Sequence, residues 1–293
     1  MKFNQKIGNY YKSELTTSKI IFKNTVSLIP IFFYFTTINK HFINSITLIV
    51  LTSLLIDILY NRIANKNIKF KSSIKNSYII FNSILISFVF PINISLKVLI
   101  IVNILSYLIY KILIDITKRE VISQFVIVTA LLIIFKIDIS NSYIYISDID
   151  LKLILVYIAT LLYLFIIKYN INIYYYVAIY IYFFITFLLT KDITILVSSL
   201  KPIYIILSLF IINDNNKLNH SYYGRNLIGL LLAFITILLI DFNIQYFELI
   251  SVVVISLLKP YLEIFLLKYN YNKEIKRISP IIIMLSIILL STI

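Results

Sequence analysis

The sequence predicts an all-α, polytopic integral membrane helix bundle of ten or eleven transmembrane helices, and three observations carry that prediction. Hydrophobic residues make up 60% of the chain, with a mean hydropathy of +0.95. Apolar runs of about twenty residues, the length that crosses a hydrocarbon core about 30 Å thick, recur from one end to the other. The 27 Lys and Arg residues gather in alternate gaps between those runs, as expected of a protein threaded back and forth through a bilayer.

The runs lie at 20–38, 42–61, 77–94, 98–114, 121–135, 153–167, 173–190, 193–212, 227–241, 249–267 and 279–293. The fifth, ninth and eleventh are short enough to be tilted or peripheral. With the N-terminus cytoplasmic, the N-terminal segment and the gaps after even-numbered runs hold twenty of the 27 basic residues. The opposite side holds five (Lys40, Lys97, Lys136, Lys152 and Lys191), and Lys201 and Lys259 fall inside runs. One missed or invented helix would scramble every later gap, so the split supports both the count and the orientation, with the C-terminus outside. The chain therefore reads as one transmembrane domain over 1–293, with 1–19 a cytoplasmic segment and 278–293 an extra C-terminal hydrophobic segment. Every gap is shorter than twenty residues, so chemistry has to occur between helices or in short loops.

Composition excludes several classes. The chain has no cysteine, which removes thiolate metal sites, iron–sulfur ligation, disulfides and a cysteine nucleophile. The net charge of +14 is spread through short loops, which points to membrane lipid and not nucleic acid as the partner. The opening "MKFNQKIGNYYKSELTTSKIIFK" is too polar for a cleavable signal peptide, and the expected location is a bacterial cytoplasmic membrane. No phosphate-cradling glycine loop, HExxH zinc motif or GxSxG elbow occurs. An aspartate-rich prenyltransferase site needs paired acids to hold magnesium, and "INDNNKLNH" offers only Asp214. His41 and His220 are expected in loops on opposite sides, where they cannot share a metal.

A charge within hydrocarbon costs roughly 2.5–3.5 kcal/mol on insertion scales and so faces the bundle interior. Four residues qualify: Asp57, Lys201, Lys259 and Glu263. Asp57 is expected to pair with Arg62 at the cytoplasmic interface. Lys259 and Glu263, four apart beside Pro260, are expected to neutralise each other on one helix face. Lys201 precedes Pro202 in the eighth run, which predicts a broken helix. Its lysine either reaches along the helix to the interface or recognises an anionic ligand.

The stretch "SYYGRNLIG" (221–229) holds two of only three glycines, against an average usage near ~7%. Together with other landmarks it resembles the NqrB/RnfD family, the flavin-bearing membrane subunits of sodium-pumping NADH:quinone oxidoreductase and of the Rnf ferredoxin:NAD oxidoreductase. "TTSKIIFKNTVSLIP" resembles the family's entry into its first span and ends at Pro30. "FNSILISFVFP" resembles the segment ending at Pro91, and "YLIYK" supplies Lys111. "NDNNKLNHSYYGRNLIG" supplies Asp214, Tyr223, Gly224 and Gly229, and "LLKPYLEIF" supplies Pro260 with Glu263 for the family's acid. The likeness extends over 20–267.

That resemblance implies a membrane subunit of an electron-transport complex, passing electrons through a flavin such as FMN, with partner subunits supplying the iron–sulfur steps. It implies cofactor contacts at Lys111, Asp214, Tyr223 and Gly224, with both glycines at positions where a side chain would collide. The family attaches FMN to a threonine outside the membrane. Here the corresponding loop "KIDISNSYIYISDIDLK" has Ser140, Ser142 and Ser147 but no threonine, and the family's glycine-rich run after the lysine is replaced by "DITKRE". Covalent FMN at the usual place is not expected; a flavin held without a covalent bond is. A polytopic solute transporter built on the proline-broken spans, and a non-catalytic assembly subunit, are the alternative readings.

Overall fold

Apolar runs become helices because a backbone in apolar surroundings has to satisfy its own N–H and C=O groups. The computed structural model describes residues 17–64, 77–117, 122–146, 149–166, 173–211 and 222–268. Ten of the eleven expected runs are helical there; the eleventh, at 279–293, lies outside the described residues. In order, the helices are α1 (Thr17–Ser27), α2 (Ile29–Ile38), α3 (His41–Ile63), α4 (Ser77–Val89), α5 (Leu96–Thr117), α6 (Gln124–Ile134), α7 (Leu151–Ile166), α8 (Ile173–Thr190), α9 (Ile193–Ser198), α10 (Pro202–Ile206), α11 (Tyr222–Asp241) and α12 (Phe247–Lys268). Among the described residues the sole β pairing is an isolated antiparallel bridge between Pro91 and Ser142. Three stretches are long and apolar enough to cross a membrane: α3, α5 and the broken run Ile193–Phe210.

Prolines set the breaks. Pro30 sits in the first turn of α2, where its missing N–H is no loss, and it divides the first run into α1 and α2. Pro202 opens α10. Lys201, restricted by the following ring, is extended at φ −57°, ψ 143°, so the eighth run is interrupted between Ser198 and Pro202. Beyond α10 the chain winds into a π-helical turn, Leu207–Ile211. Pro260, by contrast, lies within α12, which runs on to Lys268.

Scarce glycine leaves its mark at helix ends. The left-handed residue that closes many helices is usually glycine, yet here Lys136 (φ 54°), Lys191 (φ 59°) and Asn243 (φ 53°) take that conformation. The hydrogen bonds of the motif survive. Ile137 N reaches Leu132 O at 2.9 Å, Ile244 N reaches Leu239 O at 3.1 Å, and Lys191 N reaches Phe187 O at 2.7 Å. A left-handed side-chain-bearing residue costs roughly 1–2 kcal/mol, and glycine there gives part of that back through its own entropy loss. Lys191→Gly is therefore expected to stabilise the fold by about 0.5–1 kcal/mol, seen as a raised thermal midpoint in detergent, with Lys191→Ala unchanged as the control.

Polarity inside these helices is inverted relative to a water-soluble bundle. α3 exposes Leu51, Leu55, Leu59 and Ile63, four residues apart on one face, while Ser53, Asp57 and Asn61 are buried on the other. α5 exposes Ile101, Leu105, Ile109, Ile112 and Ile116 and buries Asn103, Ser106 and Tyr107. α3 packs on α4 and α5, α5 on α6, α6 on α12, α12 on α11, and α11 on α8, while α2 lies along α7. Where α2, α3, α4 and the loop after α6 converge, the fully buried rings of Phe35 and Phe42 pack against both Phe88 and Tyr143.

Candidate functional site

Two polar centres lie inside the helices. The first is the seam where α3, α5 and α6 meet. Asn103 Nδ2 stands 3.2 Å from Ile49 O, 2.7 Å from Thr52 Oγ1 and 3.1 Å from Ser53 Oγ, and Gln124 Nε2 donates to Asn103 Oδ1 at 3.2 Å. Further along, Lys111 Nζ lies 2.6 Å from Asp57 Oδ1, and Tyr107 donates to the same oxygen at 2.9 Å. Tyr60 closes the seam with a 2.7 Å bond to Asp115.

This corrects the expected pairing of Asp57 with Arg62: the carboxylate is 3% exposed on its side chain and meets a cation on the neighbouring helix. Sequence distance favoured Arg62, but α3 turns that residue toward the exterior, where it is exposed, and Asp57 toward α5. Lys111 is thus engaged with a buried carboxylate, the arrangement a low-dielectric interior requires of any charge it holds.

The other sequence-derived site residues fall elsewhere. Tyr223 and Gly224 are in the first turn of α11, which starts five residues before the expected run and packs on α8 and α12. Among the described residues no glycine has positive φ, so Gly224 serves no tight turn and both glycines lie on one helix. Gly229 is buried, consistent with the close approach expected of it. Asp214, His220 and Ser147 lie outside the described residues, as do the side chains of Lys259 and Glu263. His41 starts α3 and is exposed. Ser142 is buried with its hydroxyl unpartnered, and Ser140 is exposed beside Asp138.

The second centre was not legible beforehand. Glu248, in the first turn of α12, is 2% exposed. The positive end of the helix favours its charge. Tyr145, from the loop after α6, donates to Glu248 Oε2 at 2.9 Å. Tyr204 of α10 lies against the same carboxylate, and Lys201, at the helix break, adds its positive charge nearby. Tyr175 of α8 feels the Glu248 charge, and its fully buried hydroxyl lies beside Thr236 without a hydrogen bond of full geometry among the described residues. Behind them Thr236 and Ser251 share a 2.9 Å bond. The one advance signal was an acid at the edge of the apolar stretch "FELISVVV"; nothing in the spacing announced the tyrosines.

Beside this centre opens a cavity of about 1020 Å³, lined by Lys136, Asp138, Ser140, Tyr145, Gln245 and Tyr246 with flanking isoleucines. Its rim is clasped. Tyr246 donates to Asp138 Oδ1 at 2.7 Å and accepts from Ile139 N at 3.3 Å, and its ring meets that of Tyr145 at 6.0 Å. Tyr246 does this at φ 56°, a conformation that strains a bulky residue and persists where surroundings over-determine it. The Tyr246 bond, with help from Ser140, holds the Asp138 carboxyl below its ordinary value. Burial and then the Glu248 charge push Tyr145 far above the usual phenol range, so its hydroxyl stays a donor. Among the described residues no three His, Cys, Asp or Glu converge as metal ligands. No protein-family profile matches the sequence, and no curated protein matches it.

Proposed function

We propose that the chain is a multi-pass protein of a bacterial cytoplasmic membrane, N-terminus inside, and that it serves as the NqrB/RnfD-like membrane subunit of an electron-transport complex. The inverted polarity of α3 and α5 supports the membrane part: polar groups sit inside and leucine and isoleucine stripes face out, the pattern lipid imposes. The contacts Ile49 to Asn103, Asp57 to Tyr107 and Tyr60 to Asp115 rise together along the two helices. α3 and α5 are therefore parallel, as two spans separated by one return crossing have to be.

The electron-transport part rests on the ordered landmarks. Pro30 stands at the α1–α2 break, Pro91 just beyond α4, Lys111 against the buried Asp57 and Gly229 buried in α11. The flavin would be carried without a phosphoester, since the loop after α6 has no threonine and its Ser142 is buried. Purified full-length protein is expected to show flavin absorbance that passes wholly into the filtrate after denaturation. Colourless protein would remove the electron-transport reading, and colour retained on the denatured chain would overturn the noncovalent attachment.

The helix break at Lys201, facing a buried carboxylate, favours a second reading as a solute transporter with its site between half-helices. Colourless protein that accumulates solute in reconstituted vesicles would establish it.

A further inference from the structure

We propose that Glu248 is a proton-binding site that exchanges with the cavity beside it through the hydroxyl of Tyr145. The inference rests on the multi-pass membrane reading but not on the presence of a flavin. Three observations carry it. A carboxylate 2% exposed has no salt bridge among the described residues and is held by the Tyr145 hydroxyl. Tyr145 both lines the cavity and bonds Glu248 Oε2, so one side chain touches water-accessible space and the buried acid together. Tyr175 keeps a fully buried hydroxyl close to that acid with Thr236 beside it, a donor that can rearrange when the carboxylate changes charge.

The groups facing Glu248 are Tyr145 from the loop after α6, Lys201 and Tyr204 from the broken run, and Tyr175 from α8. α6 carries no titratable side chain, and Asp241 at the end of α11 is occupied by Tyr182 at 2.9 Å. Lys201 is therefore the one cation among them, and no ion pair joins it to the carboxylate among the described residues.

The transfer balances simply. A hydronium ion in the cavity gives a proton to the Tyr145 oxygen as the Tyr145 O–H proton passes to Glu248 Oε2, leaving water, a neutral phenol and a carboxylic acid. The reverse sequence returns the proton. Lys201, at the joint of two half-helices, then faces a neutral acid, and its differential attraction to the two protonation states couples proton binding to the break.

The test is an infrared pH titration of the full-length chain in lipid nanodiscs. Acidification should raise a protonated-carboxyl band that is absent from Glu248→Gln, and hydrogen–deuterium exchange of that band should slow on the order of a hundredfold in Tyr145→Phe. If Glu248→Gln does not fold, Glu248→Asp keeps a carboxyl at the site and should move the band in frequency, which assigns it to this position. Absence of the band wherever the protein stays folded, or exchange in Tyr145→Phe as fast as wild type, overturns the proposal. A flavin-free preparation that still shows the band would leave this site standing while the electron-transport reading fails.

Discussion

Lys111→Met is expected to destabilise the protein by about 3–5 kcal/mol, because it strips the cation from a buried carboxylate. The substitution keeps the volume of the side chain and its apolar stem, so the loss reports charge and not packing. Asp57→Asn in the same background should recover much of it, with a coupling of up to about 3 kcal/mol between neighbours in contact. Unfolding titrations in mixed detergent micelles on both single variants and the double variant give the cycle. Purely additive losses would show that the 2.6 Å contact between Lys111 and Asp57 carries no net energy. A flavin lost from Lys111→Met but retained by the double variant would mean that the lysine positions the cofactor's surroundings through α3 and does not contact the cofactor.

The second large effect is expected at Phe42. Its ring lies 4.3 Å from Tyr143, 5.9 Å from Phe35 and 5.8 Å from Phe88 between centroids, with no exposed surface. Phe42→Ala should cost about 3–5 kcal/mol, since the rings that surround it belong to three separate segments and cannot collapse together into the space. Leu51→Ala, on the exposed stripe of the same helix, should stay within about 0.5 kcal/mol. Equal effects at the two positions would mean that the aromatic junction is not the packed core it resembles.

Helical positions were legible because they are local. Apolar length, proline placement and the absence of any competing hydrophilic stretch are properties of contiguous residues, and each acts on a backbone that has to close its own hydrogen bonds. Ten of the expected runs are accordingly helical, and the breaks at Pro30 and Pro202 lie where those residues stand. The start of α11 was misjudged because Tyr222–Asn226 carries too little apolar character to mark a helix whose support comes from later turns.

The chain alone thus determined which segments are helical, that Pro202 breaks the eighth run, that Asp57 is buried and that cysteine chemistry is impossible. Tertiary structure alone decided the partners: Asp57 with Lys111 across 54 positions of sequence, Tyr145 with Glu248 across 103, and a cavity between two loops. Burial obliges a charge to find a counterpart but does not say which, since that depends on helix rotation and crossing, which many weak packing contacts set together.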